Sequence, residues 1–179
     1  MLEIEIPNTE LWDSERQEFI NIQAQKLSLE HSLVSISKWE SKWHKPFLGR
    51  EKKTEEEMLD YIKCMTVTPK VDPNVYQAFT QSTLKKIEDY IYDPMTATTI
   101  TDRSNAKSRE IVTSEIIYYW MITLGIPVEF QKWHINRLMT LIQVCNIKNK
   151  PKKKMSRNEL YSRNSALNAA RKAKLNTRG

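Results

Sequence analysis

The chain has 179 residues, of which 40% are hydrophobic and 28% charged, and its formal net charge is +6. This composition is typical of a globular protein with one hydrophobic core. No run approaches the roughly 20 apolar residues of a membrane span, and the acidic start does not resemble a secretion signal. Because only three glycines are present, a glycine-rich nucleotide-binding loop is excluded as well. We therefore expect a cytoplasmic protein.

The positive charge is concentrated at the C-terminal end. Residues 150–179 contain ten basic residues and one acid, so they carry +9, whereas the rest of the chain carries −3. This asymmetry is typical of a folded domain followed by an interaction tail. We expect a helical body over residues 1–149 and a basic C-terminal arm over residues 150–179.

The N-terminal region predicts a short pair of β-strands. Leu2–Ile6 alternates apolar and acidic residues, and residues 19–29 continue the same period of two. Pro7 ends the first strand. The polar segment 8–18 between the strands is predicted to be a long surface loop.

Three helices are predicted in the next part of the body. The second, residues 54–68, opens with a capping box formed by Thr54 and Glu57. The third, residues 72–93, opens with an N-cap aspartate followed by a proline. The first, residues 29–45, has apolar residues at steps of three or four: Leu29, Leu33, Ile36, Trp39 and Trp43.

Two further helices complete the predicted body. A threonine-rich run at 96–101 is either a third short strand or a loop. Residues 108–124 are apolar almost all round, which predicts a central buried helix capped by Gly125. Residues 127–145 form another helix, and the short connection between the two predicts a tight αα-hairpin.

The C-terminal arm predicts a sixth, weak helix. Ser156 and Glu159 form a capping box, and Leu160, Leu167 and Ala170 make only a thin apolar line. Isolated helices of this length are marginal in water, so this one should fray or form fully only against a partner. The predicted fold is mainly α, a single helical domain with a minor N-terminal β element and a basic C-terminal arm.

No pattern of catalytic or metal-ligating residues is present. His31, His44 and His134 are far apart and lack partners at the spacing of a zinc site, and His134 is expected to be a hydrogen-bonded core histidine. Cys64 and Cys145 are expected to be reduced thiols. We predict no enzymatic activity, no metal and no cofactor.

Two groups of residues allow a structural and a functional interpretation. Arg137 should form a buried ion pair with Glu110, Glu115 or Glu129, an anion-binding site being the alternative. Trp39 and Trp43, each directly preceded by a lysine, should be core residues, the alternative being aromatic platforms for single-stranded nucleic acid. The residues to which we give a core or structural role are Trp39, Trp43, Trp120, Trp133, His134 and Arg137.

The basic arm has three possible roles. It can dock on an acidic helical protein, hold nucleic-acid phosphates, or act as a solubilising tail without a specific target. The candidate partner-binding residues are Lys152, Lys153, Lys154, Arg157, Arg163, Arg171, Lys172 and Lys174.

Three segments resemble one protein family in the order in which they occur. They are SLVSISKWESKWHKPFL, EIIYYWMITLGIPVEFQKWHINRLMTLIQVCN and ELYSRNSALNAARKAKLNTRG. They resemble the tail assembly chaperones of long-tailed, siphovirus-type bacteriophages.

The resemblance implies a helical, non-enzymatic protein of the host cytoplasm. Such a chaperone binds the long, helix-rich tape measure protein and keeps it soluble while tail tube protein polymerises, and it is absent from the finished virion. Many members are made in two lengths by ribosomal frameshifting, and the chain can also form a homo-oligomer. The alternatives are a small nucleic-acid-binding protein that uses its arm on phosphates, and a structural tail or neck component of the virion.

Overall fold

The protein is mainly helical, with a small β element at its N-terminus, as the sequence predicts. The computed structural model describes residues 1–13, 17–100, 111–150 and 156–176. The chain divides into two compact units, residues 1–146 and 147–179.

Four short strands make up the β element, two more than predicted. They pair antiparallel, the first with the fourth and the second with the third. Leu2 lies opposite Leu29 and Thr9 opposite Ile22, so one register continues through both pairs. The strands are β1 Leu2–Ile6, β2 Thr9–Asp13, β3 Glu18–Ile22 and β4 Gln25–Leu29.

The four strands form one antiparallel ribbon, and its buried face changes at the break between the two strand pairs. Pro7 cannot donate to the ladder, and the side-chain oxygen of Asn8 accepts the backbone N–H of Ala24 at 2.5 Å. Even-numbered residues are buried in β1, whereas in β2 the odd-numbered ones are the more buried. The prediction of a surface loop over 8–18 is therefore wrong, because this polar segment contains β2 and the first residue of β3.

Six α-helices and two short 3₁₀ helices lie in the described residues. The 3₁₀ helices are Pro73–Ala78 and Val128–Lys132. The α-helices are α1 Leu33–Trp43, α2 Glu55–Met65, α3 Gln81–Tyr92, α4 Ser114–Thr123, α5 Ile135–Asn149 and α6 Arg157–Leu175.

The first two helices begin at capping boxes. Ser32 caps α1 together with Ser35, so α1 starts four residues later than predicted, and Leu29 belongs to β4. The predicted capping box of Thr54 and Glu57 at α2 is confirmed. Each box satisfies backbone N–H groups that have no partner within the helix.

The prediction of one continuous helix over 72–93 is wrong. Asp72 caps the start as expected, and its side chain accepts the N–H of Asn74 at 2.9 Å. It opens a 3₁₀ helix, however, and Phe79 is extended. Thr80 then caps a new helix, α3, by accepting the N–H of Thr83 at 3.2 Å.

Gly125 ends α4, as predicted. Its φ of +65° is in the left-handed region that favours glycine. The Gly125 N–H donates to the C=O of Ile122 at 3.2 Å, and the Ile126 N–H donates to that of Met121 at 2.8 Å. These two bonds make a Schellman motif.

The expected tight αα-hairpin is wrong, because a 3₁₀ helix intervenes and α5 begins only at Ile135. Ile111 and Val112 precede α4 rather than belonging to it, and the predicted cap at Ser108 lies outside the described residues. Residues 96–100 are irregular, which matches the loop alternative.

The core of the first unit joins the inner faces of the strands to the helices. α4 does not form its centre, since Tyr119 and Ile122 are 64% and 80% exposed. The fully buried large side chains are Trp39, Tyr61, Ile22, Leu27, Leu29, Leu33, Ile36, Met65, Ile87, Ile117, Ile135 and Leu138.

Candidate functional site

A cleft of about 580 Å³ lies beside the loop that follows α1. Phe47, Met58 and Ile91 supply apolar lining. Further lining residues come from the loop 48–53, which carries several charged side chains, and from Asn136 of α5. The cleft is thus built by segments that are distant in sequence.

Glu40 fixes one wall of this cleft. Its carboxylate accepts the N–H of Phe47 at one oxygen and the N–H of Ser114 at the other, both at 2.7 Å. Glu40 is only 8% exposed. Thr113, the N-cap of α4, makes no capping bond with its side chain, so Glu40 supplies an acceptor for the first turn of α4 from another helix.

His31 lies buried at the edge of the cleft. Burial and, to a smaller extent, the neighbouring His134 lower the pKa of His31 to about 3, so the ring is neutral at neutral pH. Burial also raises the pKa of Tyr61, which keeps its hydroxyl protonated. We therefore assign the bond between the two as Tyr61 donating to Nδ1 of His31, with the proton of His31 on Nε2.

His134 is half-buried, and its ring meets that of His31 edge-on, with centroids 4.9 Å apart. Its Nε2 lies 2.9 Å from the C=O of Tyr90, to which it donates. Its Nδ1 accepts the N–H of Asn136 at 3.3 Å, near the start of α5. Burial lowers the pKa of His134 too. The two histidines act as neutral packing and capping groups.

No local pattern in the sequence indicates this pairing of histidines, because His31 and His134 are 103 positions apart. The fold brings them together where the C=O of His31 accepts the N–H of Ile135 at 2.9 Å. In the described part of the chain, no three His, Cys, Asp or Glu side chains are grouped as a metal site would require. Cys64 and Cys145 are free and half-buried.

Both tryptophans of α1 donate hydrogen bonds to α2. Trp39 is 1% exposed, and its indole N–H donates to the C=O of Glu57 at 2.9 Å. The half-buried Trp43 donates to a carboxylate oxygen of Asp60 at 2.9 Å. Because Trp39 is buried, its ring is not accessible as an aromatic platform for nucleic acid.

Arg137 is not buried, although the sequence pattern predicts a buried side chain. It is exposed, and its guanidinium carbon lies 4.1 Å from the ring centroid of Trp133. Trp133 in turn stacks on Phe130, with centroids 4.0 Å apart. Arg137 is exposed because it points about 100° away from the buried Leu138 on the helix, so the prediction of a buried arginine is wrong. Glu110, one of its predicted partners, lies outside the described residues. Trp120 is half-buried against the core.

The distal end of the β-ribbon exposes a second aromatic pair. Trp12 and Phe19 lie opposite each other, with ring centroids 4.9 Å apart, and are 54% and 69% exposed. The neighbouring pair, Leu11 and Ile20, packs against the core.

The second unit contains α6, a 19-residue helix whose residues are all exposed. The predicted capping box is confirmed: the Glu159 N–H donates to Ser156 Oγ at 3.2 Å, and the Ser156 N–H donates to the Glu159 carboxylate at 2.8 Å. Leu160, Leu167 and Leu175 are 44%, 45% and 68% exposed.

α6 is strongly basic, with five basic residues against one acid. Lys152, Lys153 and Lys154 lie outside the described residues. The remaining candidate partner-binding residues all lie on this helix: Arg157, Arg163, Arg171, Lys172 and Lys174.

Comparison with known proteins finds no matching family model, no similar curated protein and no similar solved structure. Within the described residues, no helix is both long enough and apolar enough to cross a membrane.

Proposed function

We propose that the chain is a phage tail assembly chaperone that binds the tape measure protein and keeps it soluble during assembly of the tail tube. The observation that carries this proposal is α6, a long basic helix that exposes a line of leucines. The resemblance of three sequence segments to that family supplies the identity of the partner.

The exposed leucines of α6 favour a helical protein partner. Leu160 and Leu167 are two turns apart and share one side of the helix, so a facing helix can cover both. Fully burying a leucine contributes about 1.5–3 kcal/mol. That gain would stabilise a helix that is marginal in water on its own.

Charge sets the kind of partner. Arg171, Lys172 and Lys174 cluster in the last two turns of α6, and Lys152–Lys154 precede the helix in the sequence. An acidic amphipathic helix of the tape measure protein complements this charge, which speeds association and excludes basic partners. We place this activity, which needs no cofactor and no catalysis, in the host cytoplasm.

Co-expression with the tape measure protein of the same genome tests the proposal. We expect the full chain to keep the tape measure protein soluble and to co-purify with it, and Arg171→Glu/Lys172→Glu to lose both properties. Lys85→Glu/Lys86→Glu is the matched control, because it makes the same charge change on two adjacent exposed lysines of α3. If the α6 variant retains the partner as well as the control does, the proposed contact is wrong.

The second candidate function is nucleic-acid binding through the same arm. It is favoured by the net charge of +4 on α6 and by Tyr161, which is 70% exposed and can stack on a base. This function predicts DNA binding whose affinity falls steeply with salt concentration and disappears in Arg171→Glu/Lys172→Glu. The chaperone predicts co-purification with the tape measure protein after nuclease treatment.

A further inference from the structure

The rim of the cleft in the first unit carries an excess of positive charge. Arg50, Lys52 and Lys53 lie on the lining loop with a single acid, Glu51. Within the described ranges, none of these three cations forms an ion pair. By contrast Lys45, a few residues earlier, pairs with Glu57 at 2.5 Å.

Lys53 is the most constrained of these cations. Its ammonium nitrogen lies 4.5 Å from the ring centroid of Phe47 and 5.8 Å from that of Trp39. Burial lowers its pKa despite nearby carboxylates. The ammonium group has thus lost part of its hydration without gaining a carboxylate at ion-pair distance among the described residues. An incoming anion would compensate for the lost hydration.

The walls of the cleft are held in place. The Gly49 N–H donates to the C=O of Pro46 at 3.2 Å, and a Cβ on Gly49 would lie only 3.1 Å from that oxygen. On the opposite side, the Asn136 amide nitrogen donates to the C=O of Ile91 at 3.0 Å and to that of Asp93 at 2.8 Å. The site is therefore largely preformed, and its volume is within the range of ligand sites.

We propose that this cleft binds an acidic peptide segment of the partner protein, with an apolar side chain against Phe47, Met58 and Ile91 and carboxylates on Arg50, Lys52 and Lys53. The proposal rests on the proposed function, because the segment belongs to the protein that α6 holds. The apolar lining matches a peptide side chain. A phosphate group would use only the cations and would leave Phe47, Met58 and Ile91 without an apolar partner.

A labelled peptide tests the cleft separately from α6. The probe is a short fluorescein-labelled peptide of glutamate, leucine and phenylalanine, titrated against the full chain by fluorescence anisotropy. We expect saturable binding that weakens at least about tenfold in Arg50→Glu/Lys52→Glu. Lys85→Glu/Lys86→Glu should leave the affinity unchanged, and so should Arg171→Glu/Lys172→Glu. In NMR spectra, the Gly49 amide and the Asn136 side-chain amide should shift on binding.

Two results would overturn the proposal. They are equal affinity for a peptide with glutamine in place of glutamate, and loss of binding in the α6 variant but not in the cleft variant. Because Arg50 and Lys52 are exposed, the cleft variant should fold, and Arg50→Gln/Lys52→Gln gives a second, milder test. A failure of the chaperone function alone would abolish co-purification and leave peptide binding intact.

Discussion

At the scale of single residues, two buried polar groups organise the first unit. Glu40 joins the loop after α1 to the start of α4, and His31 joins the strands to α2. Neither role can be predicted from sequence, because the partners are set by the tertiary fold. The sequence marks Glu40 only as a charged residue next to a tryptophan.

Glu40→Gln should destabilise the protein by about 1–3 kcal/mol, because a glutamine has one acceptor oxygen for two backbone N–H groups and turns its amide hydrogens toward the other. Urea unfolding measures this free energy. Glu56→Gln, on the exposed side of α2, is the control and should change stability by less than about 0.5 kcal/mol. Equal effects of the two substitutions would show that the Glu40 carboxylate does not join the two segments.

The buried histidines predict a loss of stability in mild acid. The pKa of His31 falls from 6.5 in the unfolded chain to about 3 in the fold, so the unfolded state takes up the proton first. The stability contributed by neutral His31 is complete above about pH 6.5 and is lost as the pH falls toward 3, at about 1.4 kcal/mol per pH unit.

Urea unfolding between pH 6.5 and 5 tests this assignment. His31→Asn keeps an acceptor for the Tyr61 hydroxyl but removes the titration, so its stability should fall less steeply with pH than that of the parent protein. The lowered pKa of His134 acts in the same direction and should remain in the variant. Parallel pH profiles for the two proteins would contradict the buried neutral histidine.

At the scale of elements, capping signals in the sequence predict where helices begin and end better than apolar periodicity predicts whether a helix is continuous. The capping boxes at Thr54 and Ser156 and the glycine cap at Gly125 are present as predicted, because each depends on a few adjacent residues. The helices predicted over residues 72–93 and 127–145 are each divided into a 3₁₀ helix and a following α-helix. Apolar periodicity does not distinguish an α-helix from a 3₁₀ helix followed by a new cap such as Thr80.

The cap of α6 offers a test at this scale. Ser156→Ala should reduce the helical population of the first turns, because the loss of an N-cap serine costs about 1 kcal/mol. Ser165→Ala, in the middle of α6, should increase it, since alanine has the higher helix propensity. Cα chemical shifts of the full chain measure both. A change of the same sign in the two variants would mean that the capping box does not set the start of α6.

At the scale of the whole molecule, composition predicts a helical body over residues 1–149 and a basic arm over residues 150–179, and this division stays a prediction. The prediction of partner-binding residues rests on charge alone, so their role in binding remains a proposal. The cleft was missed because its lining comes from Phe47, Ile91 and Asn136, which are brought together only by the fold. Its signal in the sequence is weak, because it consists only of three basic residues in a loop.

Hydrogen exchange of the full chain, alone and with the tape measure protein, tests the role of α6 most directly. Because α6 is exposed and marginal on its own, its amides should exchange rapidly in the free protein. In the complex, exchange over residues 156–176 should slow at least about tenfold, and Arg171→Glu/Lys172→Glu should remove that protection. A complex that forms while exchange in α6 stays unchanged would contradict the proposal that this helix holds the partner.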